Sequence, residues 1–112
     1  MSHTYNISDL QQKMIVLVHL FGKEKFIKED IKEPTLNRWL NGLGITKKNA
    51  ILLSQKIGMS IDDFESNRSE FIESLISCYS KVKDVDYDRA EKTVKIATEK
   101  YYLPVMNENS DV

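Results

Sequence analysis

The residues best suited to catalysis are few in this chain and do not stand in catalytic patterns. His3 lies near the amino terminus, and His19 lies one residue from the apolar stripe of the first predicted helix, as is typical of a surface histidine. Cys78, the only cysteine, falls on a predicted apolar face, which favours a buried and unreactive thiol. The sequence also lacks a phosphate-binding glycine loop and a nucleophile elbow. These features predict a protein that is not an enzyme and that uses no cofactor.

Clustered carboxylates also have structural explanations. Asp62 and Asp63 fall in the first turn of a predicted helix, where the positive end of the helix dipole favours acidic side chains. The cluster of Asp84, Asp86 and Asp88 lacks the glycine and the distal glutamate of a calcium-binding loop. We therefore expect no metal site.

Basic residues at two predicted helix starts suit the phosphates of a nucleic acid. A helix N-terminus offers free N–H groups and a positive dipole end, and nearby lysines add charge. The residues expected to contact phosphate are Lys23 and Lys25 at one helix start, and Thr46, Lys47 and Lys48 at another.

Charge is distributed unevenly along the chain. The 112 residues carry a net charge of −1, but residues 1–60 contain nine basic and five acidic side chains, a balance of +4. Residues 61–112 contain seven basic and twelve acidic side chains, a balance of −5. Such asymmetry indicates a basic, partner-facing region followed by an acidic remainder.

The elements that must position these residues are all predicted to be helical. Ser8 and Gln11 form a capping-box pattern, which predicts a first helix from Ser8 to the stop at Gly22. A shorter second helix is predicted over residues 23–31. Thr46 and Ser60 are predicted to cap a fourth and a fifth helix.

The third predicted helix lies in the stretch EPTLNRWLNG, residues 33–42. Pro34 suits the first helical turn, because its missing N–H has no helical partner there. Leu36, Trp39 and Leu40 recur at helical spacing and are predicted to face the core, and Gly42 ends the run.

Two longer helices are predicted after residue 66. Apolar residues continue to a stop near Asp84, and after a short turn they recur every three or four residues, which is the spacing of a helix–helix seam. This seam, expected within one chain or between two copies, is assigned to Phe71, Leu75, Tyr87, Val94 and Tyr101.

Residues 8–66 resemble the lambda-repressor-like helix-turn-helix family, also called the xenobiotic-response-element type. The matching residues are Ile31, Thr35, Leu36, Arg38, Trp39, Asn41 and Gly42, followed by NAILLSQKIGMSIDDF over the fourth and fifth helices. The resemblance implies an all-α fold with a five-helix DNA-binding domain over residues 1–66. We expect a C-terminal helical hairpin for dimerisation over 67–103 and a flexible tail over 104–112.

In that family the third helix enters the major groove of DNA. The residues left for base contacts are Thr35, Asn37, Arg38 and Asn41, because the apolar residues anchor the back of the helix. The resemblance therefore implies a repressor-like regulator of phage or mobile-element type that binds double-stranded DNA, and we expect it to bind as a homodimer because two half-sites multiply the affinity of a small module. The apolar stretch MIVLVHLF is too short to span a membrane, so we expect a cytoplasmic protein that does not enter one.

A second interpretation is a regulator that keeps this scaffold but binds a protein, as an antirepressor, inhibitor or antitoxin would. Glu33 and Pro34 favour it, because they stand where the family often places base-contacting side chains. The acidic C-terminal half favours it as well, since an acidic helical surface can dock on a basic partner.

Overall fold

A computed structural model describes residues 2–102, with side chains described from Asp9 onward. Over this range the chain forms helices and no strands, which confirms the all-α prediction; the predicted tail, 104–112, lies outside the described residues. The helices are α1 (Ser2–Phe21), α2 (Lys23–Phe26), α3 (Glu33–Leu40), α4 (Lys47–Lys56), α5 (Ile61–Glu65), α6 (Arg68–Lys83) and α7 (Tyr87–Tyr101). Within the described range, no helix has the length and apolar content needed to cross a membrane.

Helix α1 is the centre of the molecule and packs against α2, α3, α4 and α7. Its second half is buried on most of its circumference, where it contributes Met14, Val16, Leu17, Leu20 and Phe21 to the core. A helix that is apolar nearly all round is one that other elements surround. The buried residues of α1 to α7 form one continuous core.

Helix α1 begins upstream of the start predicted at Ser8. It runs from Ser2, and residues 2–7 contain neither proline nor glycine that would stop it. The capping-box interpretation of Gln11 is therefore wrong: its side-chain Nε2 instead donates to the carbonyl oxygen of Leu40 at 3.0 Å.

Helix α2 is a single turn, shorter than the predicted helix over residues 23–31. Phe26 and Ile31 are both fully buried, yet five residues apart on a helix they would point about 140° away from each other. The chain bends instead, and Lys28 and Ile31 exchange backbone hydrogen bonds of 3.0 and 3.3 Å. This bend lets both apolar side chains reach the same core.

Side-chain caps fix the starts of the later helices. Thr46 and Ser60 accept hydrogen bonds from the amides of Asn49 and Asp63, each at 3.1 Å, so both predicted caps are present. Asn67 and Asp86 cap α6 and α7 in the same way. Each cap satisfies one of the amides that a helix start leaves without a partner.

Helices α6 and α7 pack against each other, and α7 also packs on α1. The turn between them places Asp84 in the left-handed region at φ 57°. Phe71, Leu75 and Val94 are fully buried within the one chain. Tyr87, by contrast, is 49 % exposed at the start of α7, and Tyr101 is half-buried against His19, with ring centroids 4.1 Å apart.

A buried lysine joins α1 to α5 and α6. Lys13 is 4 % exposed, and its Nζ donates to the carbonyl oxygen of Phe64 at 2.6 Å. The same ammonium lies over the rings of Phe64 and Phe71, at 5.1 and 4.8 Å from their centroids. Burial lowers the pKa of Lys13, and the nearby carboxylates of Asp9 and Glu65 oppose that shift.

Tyr102, directly after α7, fixes the end of that helix onto α1. Its hydroxyl donates to Asp9 Oδ1 at 2.9 Å, and its ring packs edge-on against Phe71. Arg68 donates to the Tyr102 carbonyl oxygen and lies over the Tyr102 ring at 4.5 Å. Burial, with the negative charge of Asp9, raises the pKa of Tyr102 above its ordinary range.

Candidate nucleic-acid interface

One face of helix α3 is buried against the core, and the opposite face is exposed. Leu36 is fully buried and Trp39 is 6 % exposed, so the inward face predicted for this helix is present. Pro34 lies in the first turn, as expected. Pro34, Arg38 and Asn41 are exposed, and together they form the outer edge of α3.

The loop after α3 closes over the Trp39 indole. The Leu43 amide donates to the Arg38 carbonyl at 2.9 Å and the Gly42 amide to the Trp39 carbonyl at 3.0 Å, with Gly42 at φ 96°. This is a Schellman ending, which favours glycine at the left-handed position. Gly44 lies so close to the indole that a Cβ there would be 3.0 Å from Trp39 Cδ1.

The four residues predicted to contact bases differ in their surroundings. Arg38 and Asn41 are exposed, and among the described residues neither side chain has a hydrogen-bond or ion-pair partner. Asn37 is half-buried, and its Oδ1 accepts a hydrogen bond from Lys23 Nζ at 2.8 Å. Thr35 is half-buried in the first turns of the helix. Arg38 and Asn41 are thus the residues best placed to reach a ligand.

The residues predicted to contact phosphate lie on α2 and at the start of α4, the helices before and after α3 in the chain. Lys23 touches α3 through Asn37, whereas Lys25 is half-buried on the short α2. Lys48 is exposed in the first turn of α4. Lys47 is paired with Glu65, its Nζ 2.9 Å from the carboxylate Oε2, and Thr46 is engaged as the helix cap.

Contacts with α1 show where α3 lies along that helix. The second half of α3 lies near the end of α1, because Lys23 immediately follows α1 and bonds Asn37, the fifth of the eight residues of α3. The end of α3 lies near Gln11, ten residues earlier on α1. Helix α3 is about 12 Å long. Lys23 lies beside its second half, and the start of α4, with Lys47 and Lys48, follows it along the chain.

Two ion pairs at this surface could not be found from sequence spacing. Glu65 lies eighteen positions from Lys47, and Asp30 lies twenty-six positions from Lys56, whose Nζ approaches Oδ1 at 2.9 Å. Asp30 stands in the turn before α3. The hydrogen bond from Lys56 lowers the pKa of its carboxyl.

The catalytic candidates are not brought together. In the described part of the chain, no group of three or more histidine, cysteine, aspartate or glutamate side chains could hold a metal ion. Cys78 is buried, as predicted, and burial raises the pKa of its thiol. His19 is exposed and stacks on Tyr101.

Comparison with protein-family models, curated proteins and solved structures found no match for this chain. The candidate interface therefore rests on the geometry of α3 and its neighbours.

Proposed function

We propose that this chain is a sequence-specific DNA-binding regulator that inserts α3 into the major groove. The observation that carries the proposal is the exposed outer edge of α3, with its back anchored by Leu36 and Trp39. Lys23 is bonded to Asn37 of this helix, and Lys48 is exposed at the start of α4. A major groove about 12 Å wide admits a helix presented in this way. The rigid attachment of α3 would keep its outward side chains in register with the bases.

Arg38 and Asn41 supply the base contacts in this proposal. A guanidinium can donate two hydrogen bonds to guanine, and an asparagine amide can pair with adenine. Each such contact contributes about 1–3 kcal/mol of discrimination against the wrong base. Asn37 would orient Lys23 toward the backbone, because the two side chains already share a hydrogen bond of 2.8 Å.

Lys23 and Lys48 supply the phosphate contacts, and Lys47 joins them when it leaves Glu65. Neutralising phosphates releases counterions from DNA, so the binding constant should fall as salt rises, with a logarithmic slope of about −0.9 per contacted phosphate. Three lysine contacts would therefore give a slope of about −3.

The test is binding of the full chain to random duplex DNA over a series of salt concentrations. We expect clear binding at low salt and a steep loss of affinity as salt rises. Lys48→Ala should weaken binding to all sequences and reduce the salt slope by about 1. Lys83→Ala, at the far end of α6, is the matched control and should change neither quantity.

Base recognition is tested separately by selecting bound sequences from a random DNA pool. Arg38→Ala should relax the preference at one base position while leaving the salt slope nearly unchanged. If selection by the Arg38→Ala variant recovers the wild-type sequence with equal preference, α3 is not the recognition helix.

The second candidate function is a regulator that acts on a protein. Two observations favour it. The helix preceding α3 is a single turn, and carboxylates lie among the residues proposed to face DNA, with Glu33 exposed at the start of α3 and Glu65 paired with Lys47. Carboxylates repel phosphates and attract basic protein surfaces. Failure to bind DNA even at low salt would favour this function over the first.

We further propose that the chain acts on DNA as a homodimer, because two half-sites one helical turn apart multiply the affinity of a small module. Phe71, Leu75 and Val94 are buried within one chain, so the two copies would meet through another surface. Sedimentation equilibrium at micromolar concentration tests this, and a strict monomer both alone and with DNA would refute it.

A further inference from the structure

Two apolar recesses flank the stacked rings of His19 and Tyr101. The first, about 320 Å³, lies between α1, α6 and α7 and is lined by His19, Leu20, Tyr79, Thr93, Ile96, Ala97 and Lys100. The second, about 460 Å³, lies between α1, α3 and the end of α7 and is lined by Ile15, Val18, His19, Lys23, Leu40 and Tyr101. Since both share His19, they form one surface, here called the His19 groove.

The His19 groove has an apolar floor that no described residue covers. Ile96 is 67 % exposed in the middle of α7 and lines the first recess. Ile15 and Leu40 are half-buried at the other side of the aromatic pair. Recesses of a few hundred Å³ with apolar lining fall within the size range of ligand-binding clefts in proteins.

The charged side chains that line the His19 groove are positive. Its charged lining residues are Lys23 at one end and Lys100 at the other, and no carboxylate of the described chain lines either recess. Lys100 Nζ lies 5.5 Å from the centroid of the Tyr101 ring, so this ammonium is held beside the aromatic pair. An apolar floor between two ammonium groups complements a segment that is apolar on one side and acidic at its borders.

We propose that the His19 groove binds an acidic amphipathic helix of a protein partner. Apolar side chains one or two turns apart on that helix would enter the two recesses, on either side of the His19–Tyr101 pair. Carboxylates on its flanks would pair with Lys23 and Lys100. The spacing of apolar residues on the partner helix and its negative charge would therefore both contribute to recognition.

Binding at this groove would also regulate the interface on α3. Lys23 lines the groove and donates to Asn37 on α3, and Leu40 of α3 forms part of the groove wall. A partner that engages the Lys23 ammonium removes it from the DNA backbone, so the partner and DNA should compete. This second part of the inference rests on the proposed DNA-binding function; the first part does not.

The first test is selection of peptides of about 16 residues, long enough for about four helical turns, from a random display library on the full chain. We expect enrichment of acidic peptides with apolar residues three or four positions apart. The best peptide, titrated in solution, should bind Ile96→Glu and Lys100→Glu about tenfold more weakly, the size of effect found for residues that anchor an interface. Ile61→Glu is the matched control, because Ile61 is an exposed isoleucine on α5, away from the groove.

Three results would overturn the proposal. The enriched peptides could be basic or insensitive to Ile96→Glu. Sedimentation could show a dimer that Ile96→Glu dissociates, which would make a second copy the occupant. A synthetic peptide of residues 103–112 could bind with the same sensitivity to Ile96→Glu, which would make the chain's own C-terminal segment the occupant.

The second test adds the selected peptide to the DNA-binding assay. Competition is expected for the wild-type chain and should be lost in Ile96→Glu, which should still bind DNA. If the chain binds no DNA at low salt, the proposed function fails while the peptide result stands. If DNA and peptide bind together without competition, the regulatory part of the inference is refuted.

Discussion

Replacing Gly44 by alanine tests how α3 is anchored, because this glycine has a matched control in Gly58. Both glycines have a positive φ, 80° at Gly44 and 81° at Gly58. A Cβ at Gly58 meets nothing within 4 Å, whereas a Cβ at Gly44 would lie 3.0 Å from Trp39 Cδ1 and 3.2 Å from Nε1. The two variants therefore share the backbone strain and differ in the contact with the indole.

The expected magnitudes follow from these two terms. An L-residue in the left-handed region costs about 1–2 kcal/mol relative to glycine, so Gly58→Ala should lower the free energy of unfolding by about that amount. Forcing extra volume against a packed side chain costs a further ~1–3 kcal/mol. Gly44→Ala should therefore be less stable than Gly58→Ala by about 1–3 kcal/mol.

The assay is urea unfolding, followed by far-ultraviolet circular dichroism and by fluorescence of Trp39, the chain's single tryptophan. The Trp39 emission of the folded Gly44→Ala variant should shift, and that of Gly58→Ala should not. Equal free energies of unfolding for the two variants, with unchanged emission, would show that the loop does not press on the indole, and the proposed anchoring of α3 would be refuted.

Three further predictions concern the interior. Lys13→Met should lower the free energy of unfolding by about 1–3 kcal/mol in urea titrations, because it leaves the Phe64 carbonyl oxygen without its 2.6 Å donor. A variant more stable than the wild type would mean that the cost of burying the ammonium exceeds the stabilisation from its contacts. Burial raises the folded-state pKa of Tyr102 above its unfolded value of 10.0, so the stability it contributes is present below about pH 10 and lost above it. Tyr102→Phe should accordingly lose less stability than the wild type between about pH 9 and about pH 11. An equal loss of stability in the variant and the wild type would contradict the raised pKa of Tyr102. Cys78 should react with a thiol reagent far more slowly in the folded chain than in urea, because burial raises its pKa; equal rates would show an accessible thiol.

Local sequence signals predicted the helices well where a cap or a stop determines the structure. Thr46 and Ser60 cap helices as expected, because the bond from a hydroxyl to an amide three residues away depends only on neighbouring residues. Leu36 and Trp39 are buried as expected, since helical spacing places them on one face.

The failures occur where distant residues decide the conformation. The bend after α2 exists because Phe26 and Ile31 must reach one core, and that core is built largely by α1 and α4. Gln11 bonds the Leu40 carbonyl twenty-nine positions away, and Lys13 bonds Phe64 fifty-one positions away. The spacing of residues within one helix does not reveal such contacts, so α3 and its buried face could be predicted from the sequence but the Gln11 bond at its end could not.

The position of α1 between α3 and α7 has a practical consequence for engineering. The hydroxyl of Tyr102 bonds Asp9 across ninety-three positions, and α7 packs against one face of α1. A chimaera that transplants α1–α5 onto a foreign dimeriser would leave that face of α1 bare and prone to aggregate. Grafts should therefore exchange side chains on α3 alone and leave the surrounding scaffold whole.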